Sequence, residues 1–226
     1  MPKAAEYIRG DQYLFKNKVL AIEEMATDKF LLRFEKQFDL KAGHVVAVAI
    51  DQSHDPRIYS VCSGEKDNYM QILFDLKDDG LLTPQLSQLK SGDTLYISKP
   101  YGSFMPEAEM PMWWIATGTG IAPFYAMMRS GYNAVMLLHG AREASNFYFE
   151  KEFKLALKEN YIRCSSGSDG LGDYFGHVTS FLENQDHLPN NNKYYLCGRA
   201  LMVVEVRDLL ISKGIPFGNI ISEIFF

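Results

Sequence analysis

The chain is short of cysteine and of excess positive charge, and each shortage removes a class of proteins from consideration. Its three cysteines, Cys62, Cys164 and Cys197, lie far apart with no C-x-x-C pair, which argues against a disulfide framework or a structural zinc site. Three thiolates also fall short of the four that an all-cysteine iron-sulfur cluster takes, so no metal centre of that kind is expected. Free thiols fit a reducing compartment, and a cytoplasmic location is expected. A balance of 23 Lys+Arg against 28 Asp+Glu leaves a net charge of -5, which argues against a generic nucleic-acid binder because phosphate neutralisation needs a basic face.

A membrane-spanning run is also lacking. Met110 to Met128 carries no charge over 19 residues, but Pro111, Gly118, Gly120 and Pro123 interrupt it, a poor composition for a continuous spanning helix. It reads as strand, turn and helix start. The opening MPKAAEYIRGDQY is charged from its third residue and has no apolar core, so no secretory signal is expected.

What is present is ample core-forming material, 47% hydrophobic in 226 residues, arranged in two different patterns. Up to about residue 100, short runs rich in branched and aromatic residues alternate with Gly, Asp, Asn or Pro clusters. These predict six strands, Lys16 to Glu24, Lys29 to Glu35, Val45 to Ile50, Ile58 to Ser63, Tyr69 to Leu76 and Thr94 to Lys99, in a small antiparallel barrel. A helical insertion is expected after Leu82, with Thr83 as N-cap and Pro84 at its first position. From Met112 onward, apolar strands alternate with helical stretches, which predicts a parallel sheet covered on both faces. The boundary is expected near Met105 to Pro111, giving domains 1–108 and 109–226.

Several short constellations carry chemistry. In RIYS, Arg57 and Tyr59 share one face of a strand and Ser60 takes the other; a guanidinium, a flat ring and a hydroxyl suit a diphosphate, an aromatic ring system and a ring nitrogen. Taken alone, the pair reads better as a solvated strand edge with a packed ring. Gly80, Leu81, Leu82 and Thr83 form a turn whose amides suit an anion, or simply open a capped helix. IATGTGIAPF runs from a buried strand through Thr117, Gly118, Thr119 and Gly120 into a helix starting near Pro123, a phosphate-binding geometry at the carboxyl end of a parallel strand. Cys197 and Gly198 in YLCGR end a later strand on that same edge.

In order along the chain, RIYS, GLLT, PYGSF, GTGIAPF, HGAR, YLCGR and a terminal Glu-x-aromatic resemble the plant-type ferredoxin-NADP reductase superfamily over nearly the whole sequence. The resemblance implies a flavin-binding barrel followed by a nicotinamide-nucleotide domain, with FAD, and less readily FMN, as cofactor and NADPH or NADH as co-substrate. Arg57 and Gly80 to Thr83 would hold the FAD diphosphate, Tyr59 would lie against the isoalloxazine, and Ser60 would hydrogen-bond near its N5. The Thr117 to Pro123 turn would take the nucleotide pyrophosphate, and Cys197 with Gly198 would border the nicotinamide. Glu223 matches a carboxylate linked to proton transfer, and Phe225 or Phe226 the aromatic that covers the flavin.

One departure bears on the nucleotide. Where NADP-preferring relatives carry Ser-Arg, this chain has Ser166 followed by Gly167, with Asp169 close behind. The loss predicts weaker NADP preference, an arginine restored at 167 is expected to raise it, and Arg142 is the alternative holder of a 2'-phosphate. The function implied is electron transfer between NAD(P)H and a one-electron carrier such as ferredoxin or flavodoxin. The alternatives are an NADH-dependent flavin, quinone or oxygenase-component reductase, and a flavin-binding subunit with little turnover of its own. An acidic partner would need Lys16, Lys18 and Lys36 to gather on one face.

Overall fold

Alternation of inward apolar and outward polar residues carries the first half of the chain into strands. The computed structural model describes residues 7–9, 12–51, 55–167 and 171–225 and divides into two compact units, Met1–Met105 and Pro106–Phe226. The first contains β1 (Tyr7–Arg9), β2 (Gln12–Ala26), β3 (Lys29–Glu35), β4 (Val45–Ala49), β5 (Arg57–Ser60), β6 (Tyr69–Asp75), α1 (Thr83–Leu86) and β7 (Thr94–Ser98). Its sheet runs β5-β4-β7-β2-β3-β6 in antiparallel pairs, with β1 as an added strand on β2. An antiparallel bridge from Val61 to Ile72, backed by the Cys62 amide donating to the Gln71 carbonyl at 2.8 Å, joins the two ends of that path and closes the six-stranded barrel.

The 15-residue β2 serves two neighbours, pairing with β7 over Leu14 to Lys18 and with β3 from Val19 to Ala26. Register shifts between Val19 and Ala21 and between Glu24 and Ala26 supply the bend. Leu32, Phe34, Val46, Val48, Met70, Ile72, Leu95 and Ile97 fill the interior, joined by Leu82 and Leu86 from α1. The N-cap of α1 is Leu82 rather than Thr83. The Thr83 hydroxyl instead accepts the Lys77 amide at 2.9 Å, pinning the turn to the end of β6.

The second unit contains β8 (Met112–Thr117), α2 (Ala122–Arg129), β9 (Met136–Ala141), α3 (Glu150–Leu157), β10 (Tyr161–Ser165), β11 (Tyr174–Phe175), α4 (Val178–Glu183), β12 (Lys193–Arg199), α5 (Ala200–Ser212) and β13 (Ile220–Phe225). Every pairing in its sheet, β11-β10-β9-β8-β12-β13, is parallel. Val178 and Leu182 of α4 and Val203, Val206 and Leu210 of α5 cover one face, over Trp113, Ile115, Leu138 and Leu196. On the other face Trp114 stacks on Phe124 of α2 at 5.6 Å, and Tyr161 meets Phe153 of α3 at 5.6 Å. α3 starts only at Glu150, because Phe149 takes a left-handed φ of 59° while Phe147, Tyr148 and Phe149 are all buried.

The strand order reverses between β8 and β12, and there the two backbones touch. A β-carbon on Gly120 would lie 2.4 Å from the Cys197 carbonyl oxygen, and one on Gly198, whose φ is +143°, would lie 2.3 Å from the Thr117 hydroxyl. Gly198→Ala should therefore destabilise this unit by more than about 2 kcal/mol. Both tryptophans, Trp113 and Trp114, lie here, so fluorescence-monitored urea unfolding reads the effect directly. Gly218→Ala, where a β-carbon meets nothing within 4 Å, is the control expected to stay within about 0.5 kcal/mol.

His139 of β9 is fully buried, its Nδ1 3.0 Å from the Tyr161 hydroxyl, and burial lowers its pKa from 6.5 to about 3. The native state thus resists a proton that the unfolded chain accepts below pH 6.5. This contribution to stability is complete above pH 6.5 and is lost as pH falls toward 3, at about 1.4 kcal/mol per pH unit. Between pH 7.5 and 5.5 the fluorescence-detected urea midpoint of wild type should fall further than that of His139→Phe. Equal falls would assign the acid lability to other groups.

Candidate functional site

In the barrel, cross-strand register sets the first group of residues. Arg57 pairs with Val48, Tyr59 with Val46 and Ser60 with Val45, so Arg57 and Tyr59 share the face of Val46 and Val48 and Ser60 takes the opposite one. Arg57 is exposed, Ser60 is buried, and the half-buried Tyr59 ring packs on the barrel core with Phe74 edge-on at 6.3 Å. Burial pushes the Tyr59 hydroxyl pKa up to about 12, against the pull of the Arg57 charge. Val61, just past β5, bridges Ile72 of β6, the strand whose Phe74 meets the Tyr59 ring and from whose end the turn to Gly80 departs.

That turn has unused donors. Gly80 donates to the Lys77 carbonyl at 2.8 Å, whereas the amides of Leu81, Leu82 and Thr83 donate to no group among the described residues. The Arg57 guanidinium likewise makes no hydrogen bond or ion pair among them. Three successive free amides and an unpaired guanidinium are donors of the kinds that a diphosphate takes. Of the lysines proposed for partner docking, Lys16 and Lys18 project from the same outward face of β2. Lys36 does not join them: its ammonium is tied to the carbonyls of Glu65 at 2.5 Å and Asp67 at 2.9 Å.

In the second unit the site lies at the carboxyl edge of the parallel sheet, where open α/β sheets bind ligands. Thr117 ends β8, a 3-10 turn covers Gly118–Ile121, and Pro123 sits in the first turn of α2. Gly118 has φ +56° and open space where a side chain would stand, while Gly120 is pressed onto β12. Thr119 is partly exposed between them. The turn thus presents backbone to an unfilled edge, as a phosphate requires.

Cys197 and Glu223 come together because β13 pairs with β12, Cys197 opposite Glu223, leaving Cys197 Sγ 3.9 Å from Glu223 Oε2. The thiol is fully buried; burial first, and the neighbouring carboxylate second, hold its pKa well above the usual value. It is a neutral thiol. The sequence pattern treated the last residues as a terminus and missed β13, although IISEIF has the branched and aromatic composition of a strand. Phe225 ends that strand, paired with Arg199. Phe226 and Asp169 lie outside the described residues.

Arg142 and Ser166 follow the paired ends of β9 and β10, both exposed, with the Ser166 amide donating to the Ala141 carbonyl at 3.1 Å. Gly167 is a packing position: a β-carbon there would lie 2.0 Å from the Arg142 carbonyl oxygen. An arginine at 167 would force this backbone apart, so the substitution cannot report nucleotide preference as the sequence alone suggested. The Arg142 guanidinium has no polar partner among the described residues, in contrast to Arg163, which bridges Asp173 at 2.8 Å and Glu150 at 2.7 Å.

Comparisons with known proteins agree with this division. Residues 15–105 match the model of the oxidoreductase FAD-binding domain and residues 114–208 that of the oxidoreductase NAD-binding domain. The flavodoxin/ferredoxin-NADP reductase of Rhodobacter capsulatus is 30% identical over 209 residues, covering 79% of this chain and 77% of that protein. The toluate 1,2-dioxygenase electron transfer component of Pseudomonas putida is 25% identical over 240 residues, 100% of this chain and 71% of the relative. A crystal structure of a ferredoxin NADP+ reductase from Neisseria gonorrhoeae with bound FAD and NADP superposes with a TM-score of 0.85 at 19% identity, covering 94% of this chain and 99% of that one. Fold, paired domains and sequence identity together show that the chain belongs to the ferredoxin-NADP reductase family of FAD- and NAD-binding oxidoreductases.

Proposed function

We propose that this chain carries electrons from a reduced nicotinamide nucleotide through FAD to a small one-electron protein of the ferredoxin or flavodoxin kind, in the cytoplasm. The observation that carries the reading is the switch point, where an open glycine turn at Gly118 stands beside a neutral Cys197 thiol and the Glu223 carboxylate. When bound, FAD supplies hydride acceptance at N5 and release of electrons singly or in pairs. Arg57 and the amides of Leu81, Leu82 and Thr83 hold its diphosphate. Tyr59 offers its ring to the isoalloxazine, and the Ser60 hydroxyl serves the N5 region. Thr117 to Gly120 and the first turn of α2 hold the nucleotide pyrophosphate. Cys197 borders the nicotinamide without adding charge, and Glu223 holds a proton at its carboxylate.

A second reading, an NADH-fed reductase component of an oxygenase, draws on Gly167, since the position cannot carry a phosphate-binding arginine. The relative from a dioxygenase system, matched along the whole chain, supports it too. Arg142, beside Ser166, is then the cation left to meet a 2'-phosphate.

The purified protein is expected to be yellow, and anaerobic NADPH or NADH to bleach it. If neither nucleotide reduces a bound flavin, the protein is a flavin-binding module rather than a reductase. Arg142→Ala should raise KM for NADPH about tenfold and leave KM for NADH within about twofold. An unchanged NADPH/NADH ratio would place the 2'-phosphate elsewhere.

A further inference from the structure

Three arginine side chains, those of Arg33, Arg163 and Arg207, have polar partners. Arg163 is paired twice, Arg207 bonds Asp208 at 2.7 Å, and Arg33 bonds the Gln71 side chain at 2.6 Å. Arg57, Arg142 and Arg199 have no side-chain hydrogen bond or ion pair among the described residues. The first two already have a ligand in the reading above; Arg199 does not.

Arg199 is exposed at its side chain yet fixed at its backbone. It is the last residue of β12, paired with Phe225 of β13, and its amide donates to the Thr117 hydroxyl at 3.3 Å. The preceding Gly198 is pressed against Thr117 so closely that no β-carbon fits, so Arg199 cannot drift from the end of β8. Thr117 is also the residue from which the Gly118 turn departs. An unpaired guanidinium therefore stands on the carboxyl edge of the sheet at its topological switch point, anchored to the same threonine as the open glycine turn.

We infer that Arg199 is a binding residue for the diphosphate of the nicotinamide nucleotide. The backbone turn supplies neutral donors and Arg199 the positive charge, a combination that suits a group carrying two negative charges. The assignment rests on the functional reading above and adds the cation which that reading lacks at the pyrophosphate. Because the diphosphate is common to NADH and NADPH, Arg199 acts on both alike, unlike a residue that meets the 2'-phosphate.

Steady-state kinetics of the full flavoprotein with ferricyanide as acceptor tests this. Arg199→Ala should raise KM for NADH and NADPH about tenfold each, with kcat within about twofold and flavin content and the fluorescence-detected unfolding midpoint unchanged. Inorganic pyrophosphate should compete with nucleotide in wild type and lose that effect in the variant, and Arg199→Lys should recover part of the affinity. Arg199→Gln, which keeps the side-chain length, serves if the alanine variant folds poorly. Unchanged KM for both nucleotides overturns the inference, as does a rise in KM for an acceptor protein alone, which would make Arg199 a docking residue. If wild type itself binds no nucleotide, the functional reading fails and this inference with it, whereas normal wild-type binding beside an unaffected variant sinks the inference only.

Discussion

Backbone contact between the ends of β8 and β12 is the constraint on which the nucleotide unit depends. A doubly wound sheet leaves a crevice where its strand order reverses, because the connections on either side depart in opposite directions. Here that crevice is narrowed until Gly120 rests on Cys197 and Gly198 rests on Thr117. The contact orients Gly118 toward open space, encloses the Cys197 thiol and fixes where Arg199 begins. A methyl group at either glycine would loosen all three.

The barrel meets a comparable demand by different means. A diphosphate needs donors that the protein itself has not consumed, and α1 is too short to satisfy the turn that enters it. Thr83 accepts the Lys77 amide and so ties the turn to the end of β6, while the amides of Leu81, Leu82 and Thr83 donate to no group among the described residues. Leu82 and Leu86 anchor this arrangement in the barrel core. The turn is thereby held by buried apolar contacts, which leave its amides unused.

Burial also decides which groups stay uncharged. Cys197, Tyr59 and His139 are all shifted toward their neutral forms, with loss of solvation as the first cause in each case. For His139 this is a stability constraint, with Tyr161 as its hydrogen-bond partner. For Cys197 it keeps the sulfur a neutral thiol beside Glu223.

The sequence by itself determined the two-part architecture, the barrel followed by a parallel sheet, since periodicity changes where strands begin to alternate with helices. It also determined the glycine turn after β8 and the Arg-x-Tyr-Ser strand, because these chemistries occupy consecutive residues. Only the tertiary structure decided that Glu223 meets Cys197, 26 residues away in sequence, since that requires β13 to pair beside β12. It likewise decided that Gly167 is a packing residue, that Lys36 is tied inward and that Arg199 stands at the switch point. Local pattern reports which face a residue takes within its own element; which other element lies against that face is set by strand order and close packing, and no window of neighbouring residues contains it.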